Sequence, residues 1–132
     1  MKVSRVVTAA IAAMTACGVV GMVPPAVQAS SAPTPTWTKQ APPVRPSARR
    51  GAAMAYDAAT GTVVLFGGSA QGAAQLGDTW TWNGTTWTKQ HLATHPSVRF
   101  GSGMAYDAAA GTTVLFNGDN GFDYLLDTWT WG

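Results

Sequence analysis

The sequence predicts an all-β chain built from repeated four-stranded antiparallel units, and three observations carry that expectation. The first is a repeat: shifted by 50, residues 37–68 match residues 87–118 at 20 of 32 positions. The second is the placement of tryptophan, since all 6 Trp fall at recurring positions of that repeat. The third is composition. The 132 residues are 46% hydrophobic and only 11% charged, which argues against a disordered chain. There is no Glu, and Lys and Leu are scarce, which argues against a helical bundle although Ala is plentiful. A period near fifty with Gly and Trp at fixed places points to a propeller of four-stranded blades.

The N-terminus reads as an export signal. Lys2 and Arg5 form a basic start, Val6 to Val23 is uncharged and apolar, and Pro24-Pro25 precede Val27-Gln28-Ala29. This is the pattern of a secretory signal peptide over 1–29, cleaved after Ala29 and of bacterial type, so the chain is expected to be secreted with no membrane span after cleavage. Two alternatives are an uncleaved membrane anchor and a lipoprotein attached at Cys17, where Met14-Thr15-Ala16-Cys17 loosely resembles a lipobox. Cleavage at Ala29 removes the single Cys, which excludes disulfides and thiolate chemistry from the mature chain. It also removes the net charge. The formal +2 equals Lys2 and Arg5, and the remaining six Lys and Arg balance six Asp. No basic patch exceeds Arg49-Arg50, so nucleic-acid binding is not expected. Residues 30–36, rich in Ser, Ala, Pro and Thr, read as a flexible leader.

The strands follow in order. Residues 36–40 carry Trp37-Thr38-Lys39-Gln40, which returns as Trp87-Thr88-Lys89-Gln90, and read as a lone fourth strand of a preceding unit. Residues 51–90 form a full blade. Gly51 to Asp57 is its first strand, with Met54 and Tyr56 on one face. Asp57 to Gly61 is a tight turn, in which the carboxylate accepts from backbone N–H groups and Gly61 takes positive φ. Thr62 to Phe66 is short, β-branched and apolar on both faces, as suits a strand covered on both sides. Asp78 to Trp82 is the third strand. Asn83-Gly84 predicts a two-residue type I′ hairpin, and Thr85 to Gln90 the fourth strand. Residues 91–99 cross to the next unit, of which 101–131 supply three strands. Asp78-Thr79-Trp80-Thr81-Trp82 returns at a shift of 49, so the one-residue deletion falls between Gly68 and Asp78 and marks a loop.

These residues resemble the kelch repeat of kelch-motif proteins and the central domain of galactose oxidase. The resemblance rests on Arg49-Arg50-Gly51, Met54-Ala55-Tyr56-Asp57, Val64-Leu65-Phe66-Gly67-Gly68, Asp78-Thr79-Trp80 and Trp87, and it covers 37–131. The second unit departs from it with Asn117-Gly118 in place of a double Gly; Asn tolerates the positive φ that the turn demands. The implied fold is a kelch-type β-propeller, here about two blades' worth and therefore an incomplete propeller, since rings close at about four to eight blades. An incomplete ring is expected to expose Trp129, Trp131 and the last strand edge. Two readings follow. The chain is a fragment of a longer propeller protein, or copies of it self-assemble, the leading fourth strand of one completing the last blade of another.

The resemblance implies a recognition scaffold for protein or carbohydrate ligands, held at loops on one face. Arg49 and Arg99 are then placed near the channel rim, with pairing to a nearby Asp or carbonyl as the structural alternative. The non-repeated loop is more informative: Asp119, Asn120, Phe122, Asp123 and Tyr124 combine carboxylates with aromatic faces, a set suited to a sugar ring or a peptide side chain. No catalytic constellation emerges: Asp57 and Asp107, and Asp78 and Asp127, recur where structure alone requires them. Copper chemistry of the galactose oxidase kind is implied only if its ligands lie outside this chain, whose mature part lacks the Cys and offers only His91 and His95. No metal or cofactor is expected, and the chain is expected to bind or scaffold without catalysis of its own.

Overall fold

The computed structural model describes residues 33–72 and 74–132. The expected signal at 1–29 and Cys17 lie outside the described residues. Trp37–Gly132 forms one compact unit, and residues 33–36, outside it, carry no helix or strand. Among the described residues no helix is long and apolar enough to cross a membrane.

That unit is all-β and contains two antiparallel sheets. The first sheet runs in the order β1 (Ala53–Asp57), β2 (Thr62–Ser69), β3 (Gln75–Trp82) and β4 (Trp87–Gln90). The second runs β5 (Gly103–Asp107), β6 (Thr112–Phe116) and β7 (Thr128–Trp131). Sequential neighbours pair, so each sheet is a meander.

The first turn forms by the chemistry its residues predict. Asp57 Oδ1 accepts from the N–H groups of Ala59 (2.9 Å) and Thr60 (3.2 Å), and Gly61 has φ +68°. Asp107 and Gly111 repeat the arrangement. The β2–β3 hairpin is longer than its sequence suggests. A register shift between Phe66 and Gly68 lets the pairing resume at Gly68↔Leu76 and Ser69↔Gln75. Gly67 and Gly68, both at positive φ, absorb that bulge.

Two expectations are corrected. Asn83-Gly84 is not a two-residue type I′ turn. Trp82 pairs with Trp87, so the loop has four residues, and Asn83 lacks positive φ. Instead Asn83 Oδ1 accepts from the N–H groups of Thr85 (3.0 Å) and Thr86 (2.9 Å) and from both hydroxyls. The side chain competes with the tighter turn by satisfying the backbone itself. Residues 36–40 form no strand, and Trp37 is fully exposed. The identical residues of β4 are extended because β3 supplies a hydrogen-bonding edge, and 37–40 have none.

The core lies between the sheets. Ala53 and Phe66 of the first sheet meet Leu115 of the second, with Met104 and Trp129 packed against them. Trp129 is therefore a core-lining residue, contrary to the expectation that it is exposed. Backbone bonds join the sheets as well: Gly68 N–H donates to Arg99 C=O (2.8 Å), Arg99 N–H to Leu76 C=O (3.0 Å) and Gly101 N–H to Gly51 C=O (2.8 Å). The segment leading into β5 is thus fixed against the bulge of the first sheet.

Candidate functional site

Arg49 and Arg99 occupy equivalent places. Each guanidinium grips an aspartate with both terminal nitrogens: Arg49 holds Asp78 at 2.6 and 3.0 Å, and Arg99 holds Asp127 in the same way. The remaining N–H groups go to Ser47 and Gly67, and to Ser97 and Asn117. An indole completes each carboxylate, Trp80 Nε1 on Asp78 and Trp129 Nε1 on Asp127, both at 2.7 Å. Arg49 thereby ties the segment before β1 to β2 and β3, and Arg99 ties the segment before β5 to the residue that leaves β6 and the one that enters β7.

This geometry commits both guanidinium groups to partners within the chain. Every guanidinium N–H has a partner within the chain, and Arg99 is buried. The pairing with Asp and carbonyl groups that repetition favoured is the arrangement found. The carboxylates are perturbed accordingly. Burial raises the Asp78 pKa, but the Arg49 and Trp80 hydrogen bonds and the Arg49 charge outweigh it, leaving the carboxyl below its usual range. The Arg99 and Trp129 hydrogen bonds hold the Asp127 carboxyl far below it.

The five other candidate residues are brought together on one hairpin between β6 and β7. Asn117 has φ +66°, and with Gly118 it turns the chain out of β6. Asp119 then bridges Phe100 on one side and Tyr124 on the other. The bridge Asp119↔Tyr124 corresponds to Ser69↔Gln75 in the first sheet, with four residues enclosed instead of five. The deletion seen in the repeat is thus a shortened hairpin tip.

The tip is ordered by its own side chains. Asn120 Oδ1 accepts from the N–H groups of Phe122 (2.9 Å) and Asp123 (2.8 Å), and Asp119 Oδ1 from Gly121 N–H (2.6 Å). Asp119 and Asn120 consequently act on the loop, not outward. Phe122 and Tyr124 do face outward, at 94% and 80% exposure, and Asp123 is exposed beside them. The equivalent tip of the first sheet carries Ala70, Gln71 and Gly72. Sequence reasoning missed Gln75. Its amide lies against Gly121, where an added Cβ would stand 3.0 Å from Nε2. Leu126, 79% exposed, was also missed, since it follows the polar run that drew attention to the loop.

His91 and His95 are exposed and border an open cleft of about 500 Å³, together with Lys89 and Asp78. Asp78 is already committed to Arg49 and Trp80. Among the described residues no group of three or more His, Cys, Asp or Glu could hold a metal ion.

No family model matches this chain, and no curated protein matches it.

Proposed function

We propose that this chain is a secreted binding module of the kelch-repeat type, its two sheets being propeller blades, and that it recognises a protein or carbohydrate through the Asn120–Tyr124 hairpin without catalysing a reaction. The observation that carries the reading is the pair of exposed rings, Phe122 and Tyr124, on a tip whose backbone is held by Asn120 and Asp119. Aromatic faces left in water gain most when a ligand covers them, and a pre-ordered loop loses little entropy on binding. Asp123 supplies a carboxylate acceptor beside the rings for ligand hydroxyl or N–H groups. The kelch assignment is supported by the recurring Arg–Asp–Trp arrangement and by the meander order of both sheets. Export is supported by the apolar N-terminal segment ahead of Val27-Gln28-Ala29.

The test is a glycan and secreted-protein array probed with the parent chain and with Phe122→Ala/Tyr124→Ala. The parent is expected to bind a defined class, and the double variant to lose that signal while unfolding as the parent does. Equal binding by both removes the hairpin from the site.

A further inference from the structure

Every asparagine in the chain is followed by glycine: Asn83-Gly84, Asn117-Gly118 and Asn120-Gly121. A glycine leaves its backbone nitrogen unshielded by a side chain, so that nitrogen can reach the carboxamide carbon of the residue before it. The three pairs share this chemistry and differ in what the fold places around it.

At Asn120 the fold supplies both halves of an acyl-transfer site. Asp119 Oδ1 accepts the Gly121 N–H at 2.6 Å, so a carboxylate sits on the proton that must leave as the nitrogen attacks. Asn120 Oδ1 accepts from the N–H groups of Phe122 and Asp123 at 2.9 and 2.8 Å. Two donors thus meet the oxygen on which negative charge builds when Cγ becomes tetrahedral. Gly121 adopts φ +90°, and a Cβ there would stand 3.0 Å from Gln75 Nε2, so both conformation and space keep this nucleophile bare. Asn83 has only the carbonyl half. Its Oδ1 takes the N–H groups of Thr85 and Thr86, and among the described residues no carboxylate bonds the Gly84 N–H. Asn117 has neither half, because the Gly118 N–H points at Asn117 Oδ1 itself (2.7 Å), on the carbonyl it would have to attack. Water reaches such a tip by the hairpin's own geometry. The equivalent tip of the first sheet keeps Gln71 and Gly72 exposed although the second sheet packs on the first.

We propose that Asn120 is a self-modification site, at which the chain converts its own asparagine to aspartate and isoaspartate. Asp119 takes the Gly121 proton while the Gly121 nitrogen attacks Asn120 Cγ. The N–Cγ bond forms, the Cγ–Nδ2 bond breaks, and Nδ2 leaves as ammonia with the proton that Asp119 carried. The cyclic imide then adds water. Cleavage of the nitrogen's bond to Cγ gives aspartate, and cleavage of its bond to the backbone carbonyl carbon gives isoaspartate. Either product places a further carboxylate between Asp119 and Asp123, and isoaspartate also lengthens the backbone of the tip by one carbon.

The experiment is peptide mapping by mass spectrometry of the purified chain held at neutral pH, folded and in urea, with electron-transfer fragmentation to separate isoaspartate from aspartate. In the folded chain Asn120 is expected to convert about tenfold or more faster than Asn83 and Asn117, with the imide seen as a loss of ammonia at 120. In urea the three asparagines keep only their shared sequence chemistry and are expected to convert at similar rates. Asp119→Asn keeps an oxygen acceptor for the Gly121 N–H but removes the base, and is expected to lower the Asn120 rate to that of Asn83. Equal rates for Asn120 and Asn83 in the folded parent, a preference for Asn120 that persists in urea, or an unchanged rate in Asp119→Asn overturns the proposal. Should that variant fail to fold, the parent's rates in the folded state and in urea still test it.

Discussion

Gly67 is the position where a single methyl group tests how the sheets are joined. It sits at the β2 bulge with φ +64°, and a Cβ there would stand 2.5 Å from Arg99 O and 3.1 Å from Leu76 O. Two costs separate. The left-handed conformation costs an L-residue about 1–2 kcal/mol. The clash displaces the Arg99 backbone, whose C=O and N–H hold Gly68 and Leu76 at 2.8 and 3.0 Å. Weakening two such bonds costs about 1–3 kcal/mol together. Gly67→Ala is therefore expected to lose about 2–5 kcal/mol, a large share of a domain's total stability. Gly67→Asn isolates the clash, because Asn tolerates this conformation, as Asn117 does at φ +66°. It should lose about 1–3 kcal/mol. Gly72→Ala isolates the strain, since φ is +84° and nothing lies within 4 Å; it should lose about 1–2 kcal/mol. Urea unfolding by linear extrapolation, at one protein concentration, ranks the three. Parent-like stability of Gly67→Asn would refute the argument that the Arg99 backbone abuts this glycine.

Three further outcomes are expected. Asp127→Ala takes the counter-ion from the buried Arg99 guanidinium, but Asp127 is itself 42% exposed and water replaces part of what it supplies, so the loss should be about 1–2 kcal/mol in the same unfolding assay. Acid should destabilise the fold in a defined window: Asp78 and Asp127 both titrate below the ordinary 3.8, so the unfolded chain binds more protons there. Their contribution is complete above about pH 4 and is lost as pH falls through the lowered folded values. Circular dichroism against pH should show this loss, and Asp78→Asn/Asp127→Asn should flatten it. Asn83→Ala removes the acceptor for two backbone N–H groups at the β3–β4 loop and should cost about 1 kcal/mol, read as a lowered urea midpoint.

The candidate site was legible in part. The hairpin between β6 and β7 stood out because its residues break the repeat, and the one-residue deletion located its tip. The roles within it were not legible. Asp119 and Asn120 look like ligand groups in the sequence, but both oxygens turn inward to backbone N–H groups within three residues. Arg49 and Arg99 look like rim cations, yet their partners Asp78 and Asp127 lie 29 and 28 residues away. The repetition of both residues was the signal for that pairing. Gln75 carried no signal, because its contact with Gly121 joins two hairpins whose sequences do not align.

What the sequence determined by itself is local. Alternation and β-branched runs set the strands, Asp57 and Asp107 with Gly61 and Gly111 set the turns, and the repeat set their order. These features depend on hydrogen bonds and φ preferences within a few residues, so near-identical segments adopt the same form twice. Tertiary structure alone decided which copy of each residue is buried. Phe66 and Phe116 share a strand position, but one is covered by the second sheet and the other is half in water. Trp37 and Trp87 head the same tetrapeptide, but only Trp87 has a strand edge beside it. Burial and pairing belong to the neighbour that covers a residue, and no local pattern carries that information.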